Sequence, residues 1–201
     1  MPKLSYKERA KRRREQEILR SAARMIRDQG YVNLNMDDLA EEVGISKPTL
    51  YQHFRGKDDM VAQTMLQTMR EMEEHILAVR GETALVKLEN IMRYMLAAHN
   101  DPEGFSMTII QDSSLAMQHL TGDNQEMQSI QRRVGQRVYE IIDEARTEGS
   151  IRQEIPNIIV VSAMFSSMSF LKSPRIMGDF STPAEEIIEN AVLFFRRGVA
   201  S

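Results

Sequence analysis

Cysteine and tryptophan are missing from this 201-residue chain. Without cysteine there is no disulfide and no thiolate metal site, as expected of a cytoplasmic protein. Proline and glycine are few, and they fall between periodic stretches. No run shows sustained alternation of apolar and polar residues, so strands are not expected and nearly every segment reads as helix. No stretch approaches the roughly 18 apolar residues of a membrane span, and the first residues lack the apolar core of a secretory signal. A glycine-rich phosphate loop, a nucleophile motif and close metal-ligand spacing are also absent. His99, Asp112 and His119 are too scattered to predict a metal, and Ser113-Ser114 makes no triad. Neither enzymatic activity nor a cofactor is expected.

The residues present are those of an ordinary globular protein, 42% hydrophobic and 27% charged. The net charge of −3 is unevenly spread. Residues 1–58 carry 13 bases against 9 acids, while residues 59–201 carry 13 against 20. Lys3, Lys7, Arg9, Lys11, Arg12, Arg13 and Arg14 open the chain against Glu8 alone. Such asymmetry fits a DNA-facing end, and equally a solvated charged helix. The stretch Lys11–Arg14 reads either as a phosphate or minor-groove contact, on a first helix or an arm before it, or as general charge attraction.

Helix boundaries follow from caps. Ser5 and Glu8 form a capping box ahead of the stripe Ile18, Leu19, Ala22, Met25, Ile26, and Gly30 is expected to end that helix in a left-handed conformation. Asn35 caps a second helix carrying Leu39, Ala40 and Val43 and stopping at Gly44. Ser46 caps a third, with Pro48 in its first turn, through Leu50 and Tyr51 to about Phe54. A fourth is expected from Lys57 to about Arg80, and a fifth over roughly 83–99. Short helices are expected within 101–122, and a long one over roughly 124–147. The helix from about Pro156 to Leu171 is apolar nearly all round and must bury both faces. Thr182 is read as the cap of the last helix, with Pro183 in its first position.

Residues 35–54 place two short helices around a tight turn at Gly44, with Leu39, Val43, Ile45, Leu50 and Phe54 for packing. That is a helix-turn-helix. The third helix turns Lys47, Pro48, Thr49, Tyr51, Gln52 and His53 outward, a face with no carboxylate that suits phosphates and base edges. Tyr51 also reads as a core aromatic, His53 as an ordinary surface histidine and Lys47 as a solvated lysine. The segment from Ile18 to Met60 resembles the N-terminal signature of the tetracycline-repressor (TetR) family. Gly30-Tyr31, Asp37-Asp38-Leu39-Ala40, Val43-Gly44-Ile45-Ser46, Thr49-Leu50-Tyr51, His53-Phe54 and Lys57 carry the resemblance. Glu148-Gly149-Ser150-Ile151-Arg152 is similar to a turn that precedes one of the family's later helices. Asn35 departs from the more usual threonine, and Ile155 stands where many members have an aspartate cap.

The resemblance implies base contacts for Lys47, Pro48, Tyr51 and Gln52, and phosphate contacts for Asn35, Thr49, His53 and Lys57, with Ser46, the cap of the reading helix, also among the DNA-binding residues. Lys47 can donate to guanine, and Gln52 can pair adenine through two hydrogen bonds. It also implies an all-α chain in two parts: a three-helix DNA-binding domain over 1–56, and a helical effector-binding and dimerisation domain over 57–201.

Fifteen methionines fit either an apolar effector cavity or a methionine-filled core. The resemblance favours a cavity, with Met69, Met92, Met95, His99, Phe105, Met107, Met117, Tyr139, Met164 and Met168 as candidate lining. The apolar excess of the last two helices predicts a two-fold dimer interface through Val161, Phe165, Ile188, Val192, Phe194 and Phe195. The expected protein is a homodimeric, cytoplasmic regulator, a repressor, binding a pseudo-palindromic double-stranded operator and released by a small apolar or amphipathic effector, with no membrane partner. The alternative is a DNA-binding regulator with no small-molecule effector.

Overall fold

The computed structural model describes residues 5–100, 124–169 and 182–201. Among them eight helices follow one another: α1 (Tyr6–Asn33), α2 (Met36–Val43), α3 (Lys47–His53), α4 (Lys57–Ala78), α5 (Ala84–Asn100), α6 (Gln125–Thr147), α7 (Asn157–Ser169) and α8 (Ala184–Val199). The described residues form two compact units. One takes residues 5–69 with 124–127, and the other takes 70–100, 128–169 and 182–201, so the division falls within α4.

In the first unit the caps decide where helices begin. The Ser5 hydroxyl accepts from the Glu8 amide at 3.3 Å, and the Glu8 carboxylate accepts from the Ser5 amide at 2.7 Å. Both are orphan donors that the helix itself cannot satisfy. Ile18, Leu19, Ala22, Ala23 and Ile26 form the buried stripe of α1; Met25, expected there, is half-buried, and Ala23 lies deeper. Gly30 breaks the helix, but not as a left-handed cap: its φ of 81° and ψ of 158° make a kink, after which one more turn runs to Asn33. That backbone conformation is almost confined to glycine. Leu34 then closes the turn with a hydrogen bond to Tyr31 and is buried.

The turn between α2 and α3 rests on Gly44, in the left-handed region at φ 71°. Its amide donates to Glu41 O at 3.0 Å, and that of Ile45 to Ala40 O at 2.9 Å. This is the Schellman arrangement, which consumes carbonyls the helix leaves over. Leu39, Leu50 and Phe54 are buried, while Val43 and Ile45 are half-buried. In α4, Thr64 and Thr68 are buried without cost in unpaired hydroxyls, because each donates to the carbonyl four residues back.

In the second unit α8 packs on α5 and α7, and α5 also meets α7. The Glu148 carboxylate caps α5 by accepting from the Ala84 amide at 2.8 Å, and Lys87 reaches Glu144 at 2.6 Å. The loop before α5 needs Gly81, since a Cβ there would lie 2.9 Å from the Lys87 nitrogen. After α6, Gly149 repeats the closure seen at Gly44, with Gly149 N to Arg146 O at 3.0 Å and Ser150 N to Ala145 O at 2.9 Å. Ile151, fully buried, then pairs with Ala200 in an isolated antiparallel bridge.

One sequence expectation needs correction here, and one is met only in part within a single chain. The last helix starts at Ala184, with Pro183 at the cap position and no side-chain cap, rather than at a Thr182 cap. Within the chain α7 buries one side only, which leaves its other apolar side for the partner that the sequence expects. Val160 and Met164 are buried, but Ile158, Ile159 and Phe165 are more than half exposed.

Candidate nucleic-acid interface

α3 is too short to persist alone. Its N-terminus is held by Ser46, whose hydroxyl accepts from the Thr49 amide at 3.3 Å and shares a 2.8 Å hydrogen bond with the Thr49 hydroxyl. Its body is held by Leu50, which is fully buried. Pro48 sits in the first turn, where its missing N–H leaves no gap. The remaining face is open. Lys47, Pro48 and Gln52 are exposed, Tyr51 is 45% exposed and so not a core aromatic, and Thr49 is half-buried.

His53 is the exception. Its side chain is only 11% exposed, and its Nδ1 lies 3.2 Å from a Glu15 carboxylate oxygen on α1. The cause is helical register: three residues after the buried Leu50, it lies on the inward side of α3. His53 therefore does not belong to the outward face that the sequence suggests.

The cations at the site are held in place. Lys47 meets Asp37, in the first turn of α2, at 2.6 Å, and that hydrogen bond raises the lysine's pKa above its ordinary value. Both partners are exposed, so the pair exchanges readily for another anion. Lys57 donates to Val32 O at 2.9 Å and lies 4.7 Å from the centre of the Tyr31 ring. Tyr31 in turn donates its hydroxyl to Asp58 at 2.8 Å, and burial together with that bond pushes its pKa up. An ammonium has three donors, so one bond to Val32 leaves capacity for a phosphate. Asn35 uses its side-chain oxygen to cap α2 at Asp37 N, 2.9 Å away, which leaves the amide NH2 as a donor. Arg24 on α1 and Glu42 on α2 add a 2.5 Å ion pair beside the unit. Sequence reasoning misses the clasp of Tyr31, Val32, Lys57 and Asp58. Its partners lie 25 and 27 positions apart, a separation that no periodic pattern announces.

The other predicted site residues are spread more widely. Met69, Met92, Met95 and Met164 are buried, whereas Tyr139 is 41% exposed and so turned away from any core. Phe105, Met107 and Met117 lie outside the described residues, as do the side chains of His99 and Met168. A groove of about 260 Å³ is present in the second unit, lined by His75, Ile76, Val79, Asn90 and Tyr94 among others and by none of the predicted effector residues. His75 and Tyr94 stack there with ring centres 3.9 Å apart. Of the predicted interface residues, Phe194 is 77% and Phe165 53% exposed, while Val161 and Ile188 are half-buried. Val192 and Phe195 are packed within their own chain and present nothing to a partner, because they share the α8 face that packs in the core with Val199. Among the described residues no group of three or more histidine, aspartate or glutamate side chains is placed to hold a metal ion, and no helix is long and apolar enough to cross a membrane.

Known proteins share this arrangement. Residues 18–64 match the family model of bacterial regulatory proteins, tetR family. Over 98 residues, 49% of this chain and 48% of the relative, the sequence is 35% identical to the HTH-type transcriptional repressor Rv1474c of Mycobacterium tuberculosis. The chain spans about half the length, or less, of the curated relatives it matches. In fold it resembles the ketosteroid transcriptional regulator KstR2 of Mycobacterium tuberculosis, with a TM-score of 0.68 at 19% identity over 94% of this chain and 95% of that one. It also resembles the transcriptional regulator FadR of Bacillus subtilis, solved with stearoyl-CoA, with a TM-score of 0.66 at 18% identity over 91% and 98%. A capped, carboxylate-free α3 set by the Gly44 turn and a family match over that segment lead to one assignment: residues 18–64 form the DNA-binding segment characteristic of bacterial regulatory proteins, tetR family.

Proposed function

We propose that the chain is a homodimeric transcriptional repressor whose two α3 helices enter successive major grooves of a pseudo-palindromic operator, and which an apolar or amphipathic small molecule releases. The observation that carries the reading is the open face of α3. It offers Lys47, Tyr51 and Gln52 to solvent on a helix anchored by Leu50 and capped by Ser46. Those groups suit base edges and thymine methyls, while Asn35, Thr49 and Lys57 suit phosphates. The exposed apolar residues Ile158, Ile159 and Phe165 on α7, with Leu193 and Phe194 on α8, support a two-fold partner. The buried methionines of α4, α5 and α7 support an adaptable apolar effector site. KstR2 and FadR, named for ketosteroids and solved with stearoyl-CoA respectively, suggest where to look for its ligand.

The test is selection of bound duplexes from a random library by the purified chain. A symmetric site should emerge, with half-sites about one helical turn (~34 Å), or a multiple of it, apart. Gln52→Ala should relax the preference at one position of each half-site by about 1–3 kcal/mol. Enrichment of no sequence would sink the operator reading. An effector, once found, must weaken operator binding by the factor by which operator weakens effector binding.

A further inference from the structure

α1 is longer than its packing requires. Its buried residues run from Ile18 to Ile26, whereas residues 5–14 are exposed without exception. A helix with no tertiary contact is marginal at that length, so the Ser5–Glu8 capping box has to sustain it locally. This segment holds Lys7, Arg9, Lys11, Arg12, Arg13 and Arg14 against Glu8 alone. At about 100° per residue these six side chains surround the helix, so any face it turns to a partner is basic. Lys11 and Arg14 have intrahelical carboxylate neighbours, Glu15 at 3.8 Å and Glu17 at 3.4 Å. Among the described residues Lys7, Arg9 and Arg13 have no ion-pair partner.

The segment also has a definite place. Glu15 is the α1 residue that meets His53, the last residue of α3. The exposed basic turns therefore begin where α1 leaves the C-terminal end of the reading helix. Ten residues at 1.5 Å each extend about 15 Å beyond that point, the length of four to five base pairs at about 3.4 Å. With α3 in the major groove, that length is enough to reach phosphates beside the half-site.

We propose that residues 7–14 of α1 form a second DNA contact, a helical clamp on the phosphates flanking each half-site. It rests on the operator reading above and goes beyond it, since a clamp of this kind adds affinity and salt dependence without reading sequence. The source of the anion is the same duplex that α3 reads.

The experiment compares the duplex recovered by selection in two forms, one with about ten base pairs of fixed flanking sequence on each side and one trimmed to the half-sites. The wild-type chain should bind the flanked form at least tenfold more tightly and with a steeper dependence on salt. In the variant Lys7→Gln, Arg9→Gln, Arg13→Gln this advantage should disappear, and the slope of log K against log salt should fall by about 0.9 for each phosphate no longer neutralised. Base preference should stay as in wild type. The thermal midpoint should also hold, because these side chains touch no folded neighbour. Equal affinity and slope for both duplexes, or a variant indistinguishable from wild type on the flanked form, would overturn the clamp and leave the operator reading intact. Affinity for phosphatidylserine vesicles that depends on Arg9 and Arg13, with DNA binding indifferent to the flanks, would overturn it in favour of a membrane surface. A chain that binds no duplex at all overturns both readings.

Discussion

Two ion pairs in this chain use the same chemistry in opposite surroundings. Lys47 and Asp37 join α3 to α2 with both side chains more than half exposed. Arg196 and Glu89 join α8 to α5 through two hydrogen bonds of 2.5 and 2.6 Å, and the carboxylate is 1% exposed. Arg93 extends this second system, lying 3.7 Å from Glu89 and gripping Glu189 through two bonds of 2.8 and 3.0 Å. Water competes with the first pair, so it stores little and its lysine can be handed to a nucleic acid. The second is out of water on its acidic side, so breaking it leaves a charge with nowhere to go. The reading unit keeps its charges exchangeable, and the body uses them to fix helix against helix.

The comparison can be broken at several points. The largest effect is expected in the body's core, where Phe195→Ala should cost about 3–5 kcal/mol in urea unfolding, as a fully buried aromatic does. Its neighbour supplies the contrast. Phe194→Glu should leave helicity unchanged and shift the sedimenting species from dimer to monomer, and a variant that sediments as wild type would place the interface elsewhere. Next in size, Arg196→Ala strands a buried carboxylate and should cost about 3 kcal/mol, at the low end for a broken buried pair because Arg93 remains nearby. Glu89→Gln should cost less, since the half-exposed Arg196 can regain water. The reverse order would contradict the account of which partner is trapped.

In the reading unit, Asp37→Asn should leave the thermal midpoint unchanged and tighten operator binding several-fold, by freeing Lys47 and removing a negative charge from the approach. A lowered midpoint would show that the exposed pair holds α2 to α3 after all. The smallest effect is one of pH. The hydrogen bonds from Arg93 hold the Glu189 carboxyl below its ordinary value of 4.5. A depressed carboxyl contributes stability above its unfolded pKa and loses it as pH falls through the folded one. The stability gap between wild type and Glu189→Gln should therefore be present at neutral pH and close as pH falls through the lowered folded-state pKa of Glu189. A gap that persists in acid would mean that Glu189 acts by packing.

Much of the reading unit is legible in the sequence because its signals are local. Ser5, Asn35 and Ser46 announce helix starts by chemistry within three residues, and Gly44 announces the turn. Where a residue's fate depends on distant chain, legibility ends. Glu89 reads as a surface acid of α5, and an arginine 107 positions later supplies the two hydrogen bonds that make its burial tolerable. On α8 a broad apolar stripe is plain, but periodicity alone does not divide it into the side kept for the chain's own core, with Val192 and Phe195, and the side left open at Phe194. His53 misleads for a subtler reason. The spacing Leu50, His53, Phe54 already marks one helix face, yet a histidine's polarity suggests the other.

The clasp at Gly30 has a mechanical consequence. Lys57 reaches back to Val32 while Tyr31 reaches forward to Asp58, so adjacent residues on each segment are tied in opposite directions. One tie at this junction would behave as a ball joint, about which the first turn of α4 could swivel freely. Two crossed ties behave as a hinge pin. Torque on the start of α4 must either shear one of them or turn the end of α1 with it, and α1 carries α2 along through its packing.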